Sequence, residues 1–535
     1  MLIRSSKGLF KKAHESVNTF SSRIVTLLVV GTFSLFFFSL CFYSSQQKSI
    51  TNDEVAHISG GYMIWRTGDF RINVEHPPLV KLFATLPLLD LDLYAPVEDY
   101  DWREALEWHF GRGFLFFYND ADSIALFSRC SIMILGFILG WVVYYWGRRL
   151  FNTTGKSYSF FAGVFAATLY FTEPNLIAHS SLVTYDMAFA LVTVCTGYFY
   201  WALLVRGITL RRIVGFVVCI VVAPLVKVIG ILLWFLIFVH LGCICLFGKR
   251  KWKVYRKKSL VKTISTVREK ISYSMALFLV CAAFCYFAIW ASYGFRYEIS
   301  PGTEKPSAEQ IKRYLNSSRF ASPVLGHIFR VVQQNRLLPQ GYEAVIGHAF
   351  MEQTRASFLW GTSNYEGGFY SYFLVTTLLK TPLAHLACFM IAVVILIVQT
   401  VALRFPDRKK SFNRAMFYFH RAAIPVYLIV GFFVVLSLSR LNIGHRHILM
   451  IIPLECMVAG CCFGLLMPRL RPFWRGVSAT VFLVILLLPI RLSYPHYISY
   501  FNPLSRLHSI HLFSIFHVSP RYSEIEFQKF SFNSC

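Results

Sequence analysis

The polar and apolar positions of this chain neither alternate with the period of a strand nor trace the narrow stripe of a soluble helix. Apolar residues instead fill long stretches on every face, near 24–43, 126–146, 158–172, 186–205, 211–225, 228–247, 274–293, 382–403, 422–438, 447–466 and 475–490. A helix that is apolar all round must be buried in protein or lipid. A bilayer core about 30 Å thick is crossed by about 20 such residues. The pattern predicts an all-α polytopic membrane protein of about eleven transmembrane helices, the third, fifth and eleventh runs being short for a crossing. The first run follows Lys7, Lys11, Lys12 and Arg23, the flank a signal peptide would have. Its length and the lack of a small-residue cleavage site predict a retained helix instead.

Composition removes the soluble classes. The 535 residues are 56% hydrophobic and 15% charged, with a mean hydropathy of +0.52. About 25% charged is usual for a globular protein. The net charge of +26 would suggest nucleic acid as partner in a soluble chain, but here it reads as loop charge that orients the helices. With residues 1–23 placed in the cytoplasm and the sides alternating, the inside segments hold thirty basic residues, including the run Lys249 to Lys270. The first outside segment, 44–125, holds 13 acidic residues against 6 basic ones. This predicts a cytoplasmic N-terminus, a transmembrane domain over 24–490, an extracytoplasmic tail over 491–535 and no nucleic-acid partner. The 13 Cys lie mostly in apolar runs without a Cys-x-x-Cys pair, against a zinc ribbon or disulfide framework.

Two outside segments, 44–125 and 294–380, are too long for connectors and are expected to roof a site. Their aromatic stretches Trp102 to Tyr118 and Phe358 to Tyr372 predict helices lying on the membrane surface. The first loop opens with Thr51-Asn52-Asp53-Glu54-Val55-Ala56-His57, two carboxylates close to a helix end. An acid at a membrane boundary is costly to desolvate without a partner or a task. Further on, Glu75-His76-Pro77-Pro78-Leu79-Val80-Lys81 gathers a carboxylate, an imidazole and an ammonium around a rigid Pro-Pro. Proline restricts the residue before it, so Glu75 and His76 are expected to be extended. A phosphate, or a phosphate-bound divalent ion, suits such a cluster.

These residues, with Gly68-Asp69 between them, resemble the large outside loop of the protein O-mannosyltransferase and aminoarabinose transferase superfamily, membrane glycosyltransferases of the GT-C fold class. Four further segments carry the resemblance in order: Glu173-Pro174-Asn175 through Ser180 with Thr184-Tyr185-Asp186, Leu379-Lys380-Thr381-Pro382-Leu383, Asn442-Ile443-Gly444-His445-Arg446-His447, and Tyr494-Pro495-His496 through Asn502. All fall on the outside face of the topology read from charge. The resemblance implies a polyprenyl-phosphate sugar donor, transfer to an acceptor such as a protein hydroxyl, lipid A or a glycan, and a bacterial-type inner-membrane enzyme.

It also implies roles. Asp53, first of the Asp53-Glu54 motif, is the candidate base, Glu54 is a further catalytic candidate, and Asp186 either orients the partner of Asp53 or lines the acceptor groove. Asp186 is equally an acid placed at a helix N-terminus by the dipole. His76, Lys81, Arg446 and His447 are candidates for the donor phosphate, joined by Lys227, which snorkelling explains equally well. Glu75 would orient one of these or hold a divalent ion, the one cofactor the reading admits. Lys380-Thr381-Pro382 reads as a helix start with Pro in its first turn.

The tail departs from the pattern. Asn502 leads into Pro503-Leu504-Ser505-Arg506, where related bacterial sequences carry a Gly-Gly turn and an Asp-Trp-Gly-Gln-Asp motif. That keeps a donor-binding but inactive homologue open. A transporter or flippase is the alternative from another class. It would show repeated halves with charges near the midplane, whereas the charges here cluster at one face.

Overall fold

The computed structural model describes residues 2–150, 156–257, 259–302, 309–316, 320, 322–351, 356–359, 361–365, 368–402, 409–439 and 441–506. In chain order the helices are α1 (Leu2–Gln46), α2 (Asn52–Thr67), α3 (Pro78–Thr85), α4 (Tyr100–Arg103), α5 (Glu107–Arg112), α6 (Ala121–Leu150), α7 (Lys156–Phe171), α8 (Pro174–Ser180), α9 (Tyr185–Arg206) and α10 (Leu210–Val226). There follow α11 (Gly230–Phe247), α12 (Val267–Ser292), α13 (Glu309–Tyr314), α14 (Pro323–Gln334), α15 (Gln340–Met351), α16 (Tyr372–Lys380), α17 (Leu383–Ala402), α18 (Lys409–Leu438), α19 (Ile452–Leu466) and α20 (Pro472–Ser493). The structure is thus overwhelmingly helical, and every one of the eleven apolar runs lies on a helix. Among the described residues six helices are long and apolar enough to cross a membrane: Ile24–Gln46 of α1, and α6, α9, α11, α12 and α20. The pair α16 and α17, bent by 117°, makes a seventh if counted as one span. Tyr158–Phe171 of α7 and Ala422–Leu438 of α18 are shorter apolar helical stretches.

Small residues bring the central helices close. Gly460 and Gly464, one turn apart on α19, face Ala166 and Ala162 on α7. A Cβ at Gly460 would lie 2.4 Å from the Ala166 nitrogen, and one at Gly464 would lie 2.6 Å from Ala162. In lipid, where apolar surface gains little by leaving its surroundings, such close backbone packing is what holds helices together.

The basic connectors meet at one end. Lys249 to Lys270 includes an antiparallel hairpin, β1 (Trp252–Arg256) and β2 (Ser259–Ile264). Ile208, between α9 and α10, donates to the Lys253 carbonyl at 2.8 Å and accepts from Tyr255 at 2.9 Å. The acidic loops meet at the other end. There 44–125 does not lie flat on a membrane surface: Trp102, Phe110 and Phe114 are buried in the core. The segment from Phe358 also departs from the helical expectation. It forms a hairpin, β3 (Ser357–Leu359) and β4 (Thr362–Asn364), turning next to Gly361 at φ 76°. Only glycine adopts that angle without steric cost.

Candidate active site

Asp53 and Glu54 are neighbours on the first turn of α2, so their side chains leave the helix about 100° apart. Glu54 turns inward and is fully buried. Arg129 of α6 grips it at both oxygens, Nε to Oε1 at 2.8 Å and Nη2 to Oε2 at 2.7 Å, while the Val183 and Thr51 N–H groups donate at 2.9 Å each. The remaining Arg129 hydrogens go to the carbonyls of Ser45, Lys48 and Ser49. Burial pushes the Glu54 carboxyl up, but Arg129 and the backbone donors pull it further down, to a net position below the ordinary value. This clasp ties α1, α2, α6 and the 182–184 turn together. Its oxygens have no further role to offer a substrate.

Asp53 turns toward the open side, with its side chain 35% exposed, and pairs with Arg446 from the turn before α19. Burial raises its pKa, yet the charge and hydrogen bond of Arg446 more than offset this and hold the Asp53 carboxyl below its ordinary value. Beside it a second pair, Asp186 Oδ1 with Lys227 Nζ at 2.7 Å, joins the start of α9 to the residue ending α10. Asp53 feels the charge of Asp186, and Asp186 feels those of Arg446, His179 and His447. Two acids and two fixed cations thus alternate around one small volume.

Aromatic rings form the wall. His76 lies on Tyr185 with centroids 4.3 Å apart, and His57 meets Tyr185 at 4.7 Å and His76 at 5.5 Å. The His57 Nδ1 sits 2.8 Å from the Val183 carbonyl, which only accepts, so Nδ1 carries the hydrogen and Nε2 is bare. Burial depresses the pKa of both His57 and His76, that of His76 strongly. His76 therefore carries no positive charge at neutral pH.

Of the residues singled out in the sequence, the fold brings Asp53, Asp186, Lys227, Arg446, His447 and His76 together. Lys81 lines a small cavity with His76, its ammonium buried and bonded to the Asn73 carbonyl and, at 3.2 Å, to Asn73 Oδ1. Burial lowers its pKa to about 7. Asn73 has φ 56°, and the chain passes Glu75 and His76 as a turn rather than the extended run expected of a residue before Pro-Pro. That turn aims the Asn73 carbonyl at Lys81.

Glu75 sits in a separate polar cluster under the roof. Tyr314 donates to it at 2.8 Å, Gln310 links it to Glu107, and His348 lies 3.6 Å away. Burial and the Glu75 charge push Glu107 up to about 8. A divalent ion at Glu75 would find His348 as a second ligand. Among the described residues, however, no three His, Cys, Asp or Glu side chains are grouped to hold a metal.

The three remaining motifs build a joint. Pro382 cannot donate, and the carbonyls left at the bend between α16 and α17 are taken up by asparagines. Asn502 Nδ2 donates to Leu378 and Thr381 at 2.6 and 2.8 Å, and Asn175 Nδ2 to Lys380 at 2.9 Å. Lys380 itself reaches the Ile498 carbonyl at 2.8 Å. Satisfying broken backbone at membrane depth is what permits such a bend. The rest of the tail, 507–535, lies outside the described residues.

Sequence reading passed over His57, His179 and Tyr185. His57 stands four residues after Asp53, a spacing that puts both on one helix face. The wall formed by Tyr185 had no such signal.

Fold and site define an all-α, multi-pass membrane protein with the charged side chains of the candidate site gathered at one end of the helices. No known protein family and no curated protein matches the chain. Among solved structures it is similar to ArnT from Cupriavidus metallidurans bound to undecaprenyl phosphate, at 16% identity and a TM-score of 0.44, covering 87% of this chain and 65% of that one. It is also similar to the Archaeoglobus fulgidus oligosaccharyltransferase in the apo form, at 14% identity, a TM-score of 0.45 and coverage of 88% and 55%. For AglB from the same organism, in complex with an inhibitory peptide and a dolichol-phosphate, the values are 12%, 0.44, 89% and 55%. The chain thus spans less than two thirds of the length of each.

Proposed function

We propose that this protein is a GT-C glycosyltransferase that moves a monosaccharide from a polyprenyl-phosphate carrier to an acceptor hydroxyl or amine on the extracytoplasmic face. The observation that carries the reading is Asp53, ionised, partly open and paired with Arg446 beside the Asp186–Lys227 pair. The motif resemblance supports it independently.

In this reaction the acceptor oxygen or nitrogen attacks the sugar C1 as the bond from C1 to the phosphate oxygen breaks. The acceptor proton passes to Asp53, and the carrier phosphate leaves with the bonding electrons. A single displacement inverts C1 and needs no covalent sugar intermediate. Arg446 and Lys227 neutralise the leaving phosphate, as fixed cations do best in a site shielded from water. Arg446 has two tasks in sequence. It holds Asp53 ionised in the empty site, then turns to the donor phosphate, which frees the carboxylate and restores its basicity. His76, neutral, donates to the same phosphate. The Glu54–Arg129 clasp acts indirectly by fixing the turn that carries Asp53.

The test is release of free carrier phosphate from labelled polyprenyl-phosphate sugars by purified protein in liposomes, with acceptors extracted from membranes. Release that disappears in Asp53→Asn supports the proposal. Saturable donor binding without release would leave a donor-binding protein, and neither binding nor release would favour a transporter.

A further inference from the structure

A cleft outside the site opens just behind the α16–α17 bend. Between the end of α7, the start of α17 and the first turn of α19 it admits about one group of water size, and its walls include Leu169, Leu386, Phe389 and Ile452. Three polar groups that the proposed reaction does not use line this apolar cleft: His385, Thr381 and Glu455.

Each lacks a hydrogen-bond partner on the cleft side. His385 is 6% exposed, and its Nε2 lies 2.8 Å from the Leu169 carbonyl. A carbonyl only accepts, so Nε2 carries the hydrogen and Nδ1 is a bare acceptor, unpartnered. The Thr381 hydroxyl, on a residue 5% exposed, is unpartnered too. The Glu455 carboxyl has neither a hydrogen bond nor an ion pair among the described residues. Glu173 completes the wall, but its oxygens already accept from Asn175 Nδ2 at 2.7 Å and the Leu176 N–H at 2.8 Å. Leaving several buried polar groups unmade is costly, and an ionisable group inside a membrane protein without a partner marks a site.

The set specifies its ligand. It offers an acceptor nitrogen, a carboxyl and a hydroxyl, its lining includes no cation, and its space is that of one group of water size. We infer that the cleft binds a primary ammonium group, which donates to His385 Nδ1, Thr381 Oγ1 and the Glu455 carboxylate while its apolar remainder lies along Leu386 and Phe389. A trimethylated ammonium, larger and without N–H donors, fits neither the space nor the acceptors. The ammonium can come from an aminophospholipid headgroup or from a free amine. Nothing in this argument depends on glycosyl transfer.

The protein is reconstituted in nanodiscs of equal parts phosphatidylethanolamine and phosphatidylcholine, and the phospholipid kept after detergent washing is measured by mass spectrometry. Enrichment of phosphatidylethanolamine is expected, falling roughly tenfold in Glu455→Gln and in Thr381→Val, as loss of a charge-assisted hydrogen bond implies. Thermal unfolding of both variants checks that they fold. If ethanolamine alone raises the wild-type unfolding temperature, and not that of Glu455→Gln, while the lipids are retained equally, the ligand is a free amine. Equal retention of both lipids with no ethanolamine effect means that the cleft holds only water, and overturns the inference.

Discussion

Arg446 donates to the carboxylate of Asp53 across 393 residues of chain, joining the first turn after α1 to the turn before α19. This contact fixes both the charge of Asp53 and its position next to Asp186. It also couples catalysis to pH in a direction that can be stated. Asp53 has a pKa below its ordinary 3.8, so its basic form persists above that value and is lost only as pH falls through the lower one. In Arg446→Gln the carboxyl rises, because the adjacent guanidinium that holds it down is gone. The acid limb of the kcat/KM profile should move up accordingly. An unmoved limb would remove Arg446 as the partner that sets Asp53.

Asp53→Asn keeps the size of the side chain and removes the base. Turnover should fall by about 10²–10⁴-fold while donor affinity stays within a few-fold. The measurement is single-turnover release beside equilibrium donor binding. Undiminished release would send the base elsewhere.

Lys227→Met leaves Asp186 unpaired and takes a cation from the proposed phosphate position. Donor affinity should weaken by about tenfold or more, with a smaller change in single-turnover rate at saturating donor. Lys81→Met makes the contrast, since its ammonium is spent on Asn73. It should lower thermal stability more than donor affinity. Equal loss of donor binding in both variants would contradict the separation of these lysines.

Arg129→Met strands Glu54 as a buried, unpaired carboxylate and should cost about 3–5 kcal/mol of stability. The pair has its own pH signature. The folded pKa of Glu54 is depressed, so its contribution is present above the ordinary 4.5 and is lost as pH falls through the lower folded value. In the double variant Arg129→Met, Glu54→Leu much of the loss should return. Urea or thermal unfolding in detergent between pH 3 and 7 measures both effects.

Glu107 behaves in the opposite sense. With a folded pKa raised to about 8, the folded state holds a proton that the unfolded chain gives up, so stability should decline as pH rises from 4.5 through 8. Glu107→Gln should flatten that decline, and a parallel pH profile would show that the Glu75–Gln310–Glu107 cluster does not titrate as a unit.

Much of this protein was legible along the chain. Runs that are apolar on every face can only be membrane or core helices, and the alternation of basic and acidic connectors put the five motifs on one face before any coordinates were considered. Asp53, Asp186, Lys227, Arg446 and His76 could be picked from motif and position. What sequence order left undetermined is direction. Asp53 and Glu54 are adjacent and chemically alike, but one step along a helix turns a side chain by about 100°, so one faces the site and the other the Arg129 clasp. Lys81 carried the same charge as Lys227, yet Lys227 meets an acid, Asp186, while the left-handed turn at Asn73 gives the Lys81 ammonium a carbonyl instead. Periodicity is a local property that the solvent reads directly, and so it fixes where helices run. Which acid meets which cation depends on packing between segments hundreds of residues apart, and only the tertiary structure decides that.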